Sequence, residues 1–376
     1  MKARPLKPAD RRLILCLGTG GVGKTTISAA LALGEALSGR AVDVMTVDPA
    51  PRLLDALGLT VDSGEMSDVE LDGIPHSGQG RLRAMKLDPK ATFDSLIARY
   101  APSEIARDAI LENRLYQNLS QALAGVGDYM AMEKLLELHA DAETDLIVLD
   151  TPPAREALDF LDAPRRVLEL LNSRAAALLG ASTGFFGQSL KLVDLAARAV
   201  LAAFDRLTGL HLLVDVQSFV SGFDGMYGGF AERAERAHAL VRDRGETLIV
   251  VVTAAEAQRV EETRAFIDSL NAIGLKVGAL VVNRAMPEMP RAADLAKLKI
   301  PSELKRKLRR NWRDFAALKA RQTESLSALR AMVPDSAAFV VVPDLGRELV
   351  RLNDLATIAR CLCGIESGDS APRRPD

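Results

Sequence analysis

The densest chemistry in the chain lies in nine consecutive residues, Gly18-Thr19-Gly20-Gly21-Val22-Gly23-Lys24-Thr25-Thr26. Two motifs overlap there. Gly18, Gly20 and Gly23 have the spacing of a dinucleotide fingerprint, whereas Gly18 followed by Gly23-Lys24-Thr25 has that of a phosphate-binding P-loop. In a P-loop the glycines let successive N–H groups turn toward an anion, and the following helix points its positive end the same way. Lys24 would neutralise the β- and γ-phosphates of a nucleotide, and the Thr25 hydroxyl would ligate Mg²⁺. A dinucleotide fold has no use for that Lys-Thr pair. The remaining alternative is a glycine-rich turn that caps a helix.

Three further groups could complete such a site. Asp150 closes the apolar run Leu146-Ile147-Val148-Leu149 and is the candidate metal-side carboxylate, reaching Mg²⁺ through water. Thr151-Pro152-Pro153 follows as a rigid loop where a γ-phosphate sensor would lie. Asp48, held at the end of another apolar segment by Pro49, is placed to orient or deprotonate an attacking water. Asp150 could instead be a helix cap or a turn residue, and Asp48 part of a strand-terminating Asp-Pro turn. Asn283 could read an adenine edge with an amide that both donates and accepts, or could simply form a turn. Pro343-Asp344, at the exit of the last apolar segment, would form the far wall.

These residues need a common edge to converge on. Residues 12–17, 41–47, 146–150, 247–253, 275–282 and 338–342 are apolar runs, as expected of parallel strands covered on both faces. Helical segments follow at residues 27–37 and 346–362. The composition agrees: 48% hydrophobic residues exclude a disordered chain, and 4% aromatic residues favour helices packed by small aliphatic side chains over an all-β sandwich. With 48 Lys and Arg against 50 Asp and Glu, the chain lacks the basic footprint of a nucleic-acid binder. Three cysteines without C-x-x-C spacing make neither a disulfide framework nor a common zinc site, which fits a reducing cytoplasmic setting. The apolar run after the basic N-terminus is too short for a signal peptide and leads into glycines. No apolar run reaches the ~18 residues of a membrane span.

At 376 residues, two domains or one domain with a large insertion are expected. Residues 92–141 and 156–244 read as helical blocks between the core strands. Phe185 and Phe186 flank a glycine-containing turn, and Phe219, Phe223 and Met226 are interspersed with Gly222, Gly225, Gly228 and Gly229. Such residues are ordinarily core. The sharper reading is a groove of Phe185, Phe186, Phe219, Phe223 and Met226 for an apolar helix or a membrane client. Residues 297–313 carry a run of lysines and arginines in helical register. A solvated face is one reading; a dock for anionic lipid or a partner is the other. Residues 367–376 have the composition of a disordered tail.

The P-loop, Thr46-Val47-Asp48-Pro49-Ala50 with Leu53-Leu54-Asp55-Ala56-Leu57-Gly58, and Asp150-Thr151-Pro152-Pro153 resemble the arsenite-pump-driving and tail-anchored-protein-targeting ATPases. These belong to the deviant-Walker-A class. Tyr129-Met130-Ala131-Met132-Glu133-Lys134-Leu135 and residues 157–164 resemble the bacterial branch, and the likeness runs from about residue 12 to 363. It implies an α/β, three-layer P-loop NTPase with a mostly parallel sheet and a helical insertion subdomain. The ATPase core would comprise residues 1–91, 142–155 and 245–366, and the insertion residues 92–141 and 156–244. The resemblance further implies a Mg²⁺-dependent ATPase that dimerises across its nucleotides, with Gly18, Gly20, Gly21, Val22, Gly23, Lys24, Thr25 and Thr26 on the phosphates. Asp48 would position water, Asp150 would open the second switch, and Asn283 would contact adenine.

Two departures shape the expectation. Where the family usually has a signature lysine that reaches the partner's nucleotide, this chain has Thr19. Hydrolysis would then be slow, or a related subunit in a heterodimer, or another cation such as Arg52 or Arg155, would supply the charge. Residues 287–334 contain no cysteine, although thiolates are what hold soft As(III) or Zn²⁺. An arsenite-pump role is disfavoured on that ground. The expected protein is a cytoplasmic ATP-driven switch, with peripheral membrane association as an option and an apolar helical or membrane-protein client. The alternative is a weakly hydrolytic subunit of a hetero-oligomer.

Overall fold

The computed structural model describes residues 5, 6, 8, 11–59, 64–74, 79–114, 116–117, 124–172, 226–347 and 351–365. In chain order its elements are β1 (Leu13–Gly18), α1 (Lys24–Leu37), β2 (Ala41–Thr46), α2 (Arg52–Ala56), β3 (Ser67–Asp68), β4 (Arg81–Lys86), α3 (Pro89–Tyr100), α4 (Glu104–Leu111) and α5 (Ala124–His139). There follow β5 (Leu146–Asp150), α6 (Ala154–Asn172), α7 (Tyr227–Arg242), β6 (Thr247–Ala254), α8 (Ala257–Ala272), β7 (Ala279–Ala285), α9 (Ala292–Lys297), α10 (Ser302–Arg330), β8 (Ala338–Pro343) and α11 (Leu352–Cys363).

The chain forms two compact units. The first comprises Met1–Lys86, Ala142–Leu158 and Arg244–Asp376, and holds an eight-stranded sheet in the order β3-β4-β2-β5-β1-β6-β7-β8. All pairings are parallel except β3 with β4. β1, β5 and β6 are buried along their whole length, because helices cover both faces and exclude water from either side. α1 packs on the sheet with the Ala- and Leu-rich sequence KTTISAALALGEAL and lies against α11. The order places the ends of β2, β5 and β1 side by side.

Three features depart from the sequence expectation. β4, with the sequence RLRAMK, was not legible because arginines alternate with its buried Leu82 and Ala84. Arg83 is nonetheless held inside the sheet by Asp43 of β2, to which it donates two hydrogen bonds of 2.7 Å. β7 begins at Ala279 and runs past Asn283, which pairs with Ala254 inside the ladder instead of marking its exit. The last helix begins at Leu352, since Gly346 has a φ of +66° and donates to Asp344 in a turn.

The second unit comprises Leu87–Asp141 and Asp159–Asp243. Its core gathers Leu96, Ile97, Ile110, Tyr116, Tyr129, Met130, Met226 and Phe230. Met226 is only 2% exposed. Phe185, Phe186, Phe219 and Phe223 lie outside the described residues, as do residues 367–376. Among the described residues no helix is long and apolar enough to cross a membrane.

Candidate functional site

The loop between β1 and α1 is shaped by two glycines. A side chain on Gly18 would place its Cβ 2.2 Å from the carbonyl oxygen of Val252 on β6, so the strand can approach only without one. Gly23 has a φ of +88°, and a Cβ there would lie 2.5 Å from Asn283 Nδ2. Gly23 also precedes α1, whose first turn carries neither a side-chain cap nor an acidic residue. The amides of that turn remain available to an anion. Gly20 and Gly21 are exposed, Thr25 and Thr26 half-buried, and Val22 is tucked under the loop.

Lys24 is buried and folds back along the loop, its Nζ donating to the carbonyls of Gly18 (3.2 Å) and Thr19 (3.3 Å). Burial lowers its pKa, opposed by the negative charges of Asp150, Asp48 and Glu156. Two weak carbonyl partners hold the ammonium beside the anion cradle without neutralising it, so a phosphate could take their place.

Asp150 ends β5 at 1% exposure and is surrounded by hydroxyls. Thr25 donates to Oδ2 at 2.8 Å, Thr46 to Oδ2 at 3.0 Å and Ser28 to Oδ1 at 3.1 Å. Burial raises its pKa, and those three bonds act in the opposite direction. A carboxylate and a threonine hydroxyl 2.8 Å apart are the hard oxygen donors that Mg²⁺ prefers, and the glycine cradle beside them fits a polyphosphate.

Asp48 lies just beyond β2 and is half-buried. Its backbone amide donates to Thr46 Oγ1 at 3.1 Å, and its Oδ1 accepts from Ala50 N at 2.9 Å. Oδ2 lies 3.6 Å from Arg52, which is 72% exposed. Asn283, 4% exposed, donates from Nδ2 to Val22 O at 2.9 Å and so braces the P-loop with one half of its amide. It also lines a cavity of about 390 Å³ with Thr26, Arg284, Pro343, Asp344 and Arg347. The side chain of Arg155 lies outside those described.

Three contributors escaped sequence reasoning. Ser28 could have been found, since it sits one helical turn after Lys24 and shares its face. Thr46 could have been found less easily, as the last residue of the strand before Asp48. Arg259 on α8 gave no local signal. A methyl group built on Gly21 would lie 4.0 Å from its Nη2. Arg259 pairs with Glu262 at 2.7 Å and shares a cavity of about 520 Å³ with Thr19, Gly20, Pro153 and Glu156. The Thr19 hydroxyl is buried there with no hydrogen-bond partner.

The family described as anion-transporting ATPase matches residues 11–325 of this chain. Curated relatives include ATPase GET3 of Malassezia globosa, 27% identical over 278 residues (74% of this chain and 73% of the relative). The ATPase get3 of Aspergillus terreus is 29% identical over 276 residues, 73% of each chain. That of Schizosaccharomyces japonicus is 25% identical over 323 residues, covering 85% of this chain and 89% of its own. With the P-loop, the hydroxyl-bound Asp150 and a parallel sheet already converging on one edge, this match places the chain in the anion-transporting ATPase family, as an ATPase that uses ATP with Mg²⁺.

Proposed function

We propose that the protein is a dimeric switch that couples ATP hydrolysis to a client- or partner-binding helical unit, in membrane-protein targeting or a transport-linked process. The carrying observation is Asp150: a buried carboxylate held by hydroxyls alone, 2.8 Å from the P-loop Thr25. Lys24 and the amides of residues 20–25 stabilise charge that builds on the transferring phosphoryl group. Asp48 orients the attacking water and accepts its proton. Bound at Thr25 and, through water, at Asp150, Mg²⁺ would neutralise charge on the β- and γ-phosphate oxygens. Asn283 braces the loop while its amide oxygen remains for the adenine side, where Pro343 forms a wall. The resemblance to tail-anchored-protein-targeting ATPases supports dimerisation and an apolar client, with Phe185, Phe186, Phe219 and Phe223 as the groove; Met226, expected among them, is instead buried in the core of the second unit.

Thr19 favours a second reading, a weakly hydrolytic subunit whose related partner supplies the missing charge. Among the described residues, Arg259, beside the P-loop, is a cation of this chain that could supply it instead. Steady-state ATP turnover of the isolated chain, with its mass measured with and without nucleotide, separates the two. The switch reading expects turnover that falls roughly 10²–10³-fold in Lys24→Ala and a nucleotide-dependent dimer. A monomer without turnover in every nucleotide state sinks it.

A further inference from the structure

Residues 297–313 hold eight lysines and arginines against one acid, Glu303, in a chain of net charge −2. Lys299, Arg306, Arg309, Arg310 and Arg313 are exposed. Lys307 is 3.2 Å from Glu303, and one further acid, Asp314, stands between Arg313 and Phe315. The same region is apolar in an unusual way. Among the described residues six large apolar side chains are exposed, and four of them are Leu298 (43%), Leu304 (46%), Phe315 (52%) and Leu318 (49%).

On α10, Leu304, Leu308, Phe315 and Leu318 fall within roughly 80° of one another at 100° per residue. They form one stripe bordered by Lys305 and Lys307 and by the acids Glu303 and Asp314, while Arg306, Arg309, Arg310 and Arg313 occupy the opposite face of the helix. Further along the same stripe the helix is fastened: Gln322 accepts from Met286 N at 2.9 Å, Lys319 donates to Met286 O at 2.6 Å, and Leu329 is fully buried. The second half of α10 therefore packs on its own unit, against α8 and β7, while the first half carries an exposed apolar stripe. A solvated face accounts for the cations and leaves the leucines and Phe315 unexplained. Pairing with a second copy through the stripe would cover the apolar side chains and leave the cationic face without a partner of opposite charge.

We propose that the first half of α10, with residues 297–301, docks on an anionic lipid surface. Leu298, Leu304, Phe315 and Leu318 would enter the headgroup–acyl boundary while the arginines of the opposite, polar face supply the positive charge that draws the helix to an anionic surface, the composition of an interfacial basic helix. The surface serves a chain that reaches a bilayer from outside and releases it reversibly, since four apolar side chains are too few to anchor it alone.

Co-sedimentation of the full chain with phosphatidylcholine vesicles, with and without phosphatidylglycerol, tests this. Binding is expected only to the anionic vesicles and weakens with added salt. Changing Arg306, Arg309 and Arg310 to Gln lowers it roughly fivefold per charge, and Phe315→Ser with Leu318→Ser lowers it as well. These side chains are exposed, so ATP turnover stays at the wild-type rate and reports an intact fold. Absence of binding, equal binding to neutral vesicles, or binding untouched by both sets of variants overturns the proposal. So does a Phe315→Ser/Leu318→Ser variant that turns a dimer into a monomer while the wild type ignores vesicles.

Discussion

Asp150 in the first unit and Glu133 in the second are both buried carboxylates, 1% and 5% exposed, and burial raises the pKa of each. Their partners differ in kind. Arg233 donates from Nε to both oxygens of Glu133, at 3.0 and 2.9 Å, and the Tyr129 hydroxyl bonds the same carboxylate. The guanidinium itself lies 4.0 Å over the ring of Tyr100. Glu133 is thus neutralised from within, and its burial serves the packing of α5 against α7. Asp150 receives three neutral hydroxyls, and the nearest lysine, Lys24, bonds backbone carbonyls instead. Its charge is solvated but not cancelled. A buried carboxylate ringed by hydroxyls is prepared for a cation from outside; one gripped by arginine is already complete.

The largest effect is expected at Arg233, the partner of Glu133. Arg233→Leu strands the Glu133 carboxylate and is expected to destabilise the second unit by about 3–5 kcal/mol, read by equilibrium denaturation. A loss below about 1 kcal/mol would put Glu133 in the same class as Asp150. Asp150→Asn is the counterpart. The Mg²⁺ concentration that half-saturates ATP turnover should rise roughly 10–100-fold, while the denaturation midpoint without metal changes little, because the buried carboxylate charge is gone and Lys24 keeps its two carbonyl partners. A strongly destabilised variant would show Asp150 to be structural.

Smaller changes grade the contrast. Ser28→Ala removes one of the hydroxyls on Asp150 and should lower stability by about 1 kcal/mol, with a measurably weaker Mg²⁺ response; an unchanged Mg²⁺ curve would remove Ser28 from the site. Glu35 is an intermediate case, buried, 3.2 Å from Arg40 and raised in pKa mainly by burial. The folded state therefore holds its proton more tightly than the unfolded state. Wild-type stability should fall relative to Glu35→Gln as pH rises from the ordinary glutamate range through the raised pKa, and the two curves should converge below it. Arg40 keeps its bonds to the carbonyls of Arg11 and Asp145 in that variant, so the comparison stays clean. Curves that stay parallel across that range would refute the assignment.

Much of this was legible in the chain before folding, for reasons that are local. Glycines at positions 18 and 23 and the Lys24-Thr25 pair specify an anion cradle because backbone conformation and side-chain chemistry are set within a few residues. Continuous apolar runs at β1, β5 and β6 announce strands covered on both faces, and Asp150 at the end of one announces the site edge. β4 stayed hidden because its arginine is balanced across the sheet by Asp43, a partner 40 residues away. What only the tertiary structure decided is the state of each charge. Thr25 and Thr46 lie 125 and 104 residues from Asp150, and Asn283 lies 261 from Val22; the strand order alone makes them neighbours. Arg259 reaches Gly21 for the same reason, and Glu133 is closed by a residue 100 positions away. Local sequence sets which groups can do chemistry. Which of them remain open to a ligand depends on partners that converge only when the chain is folded.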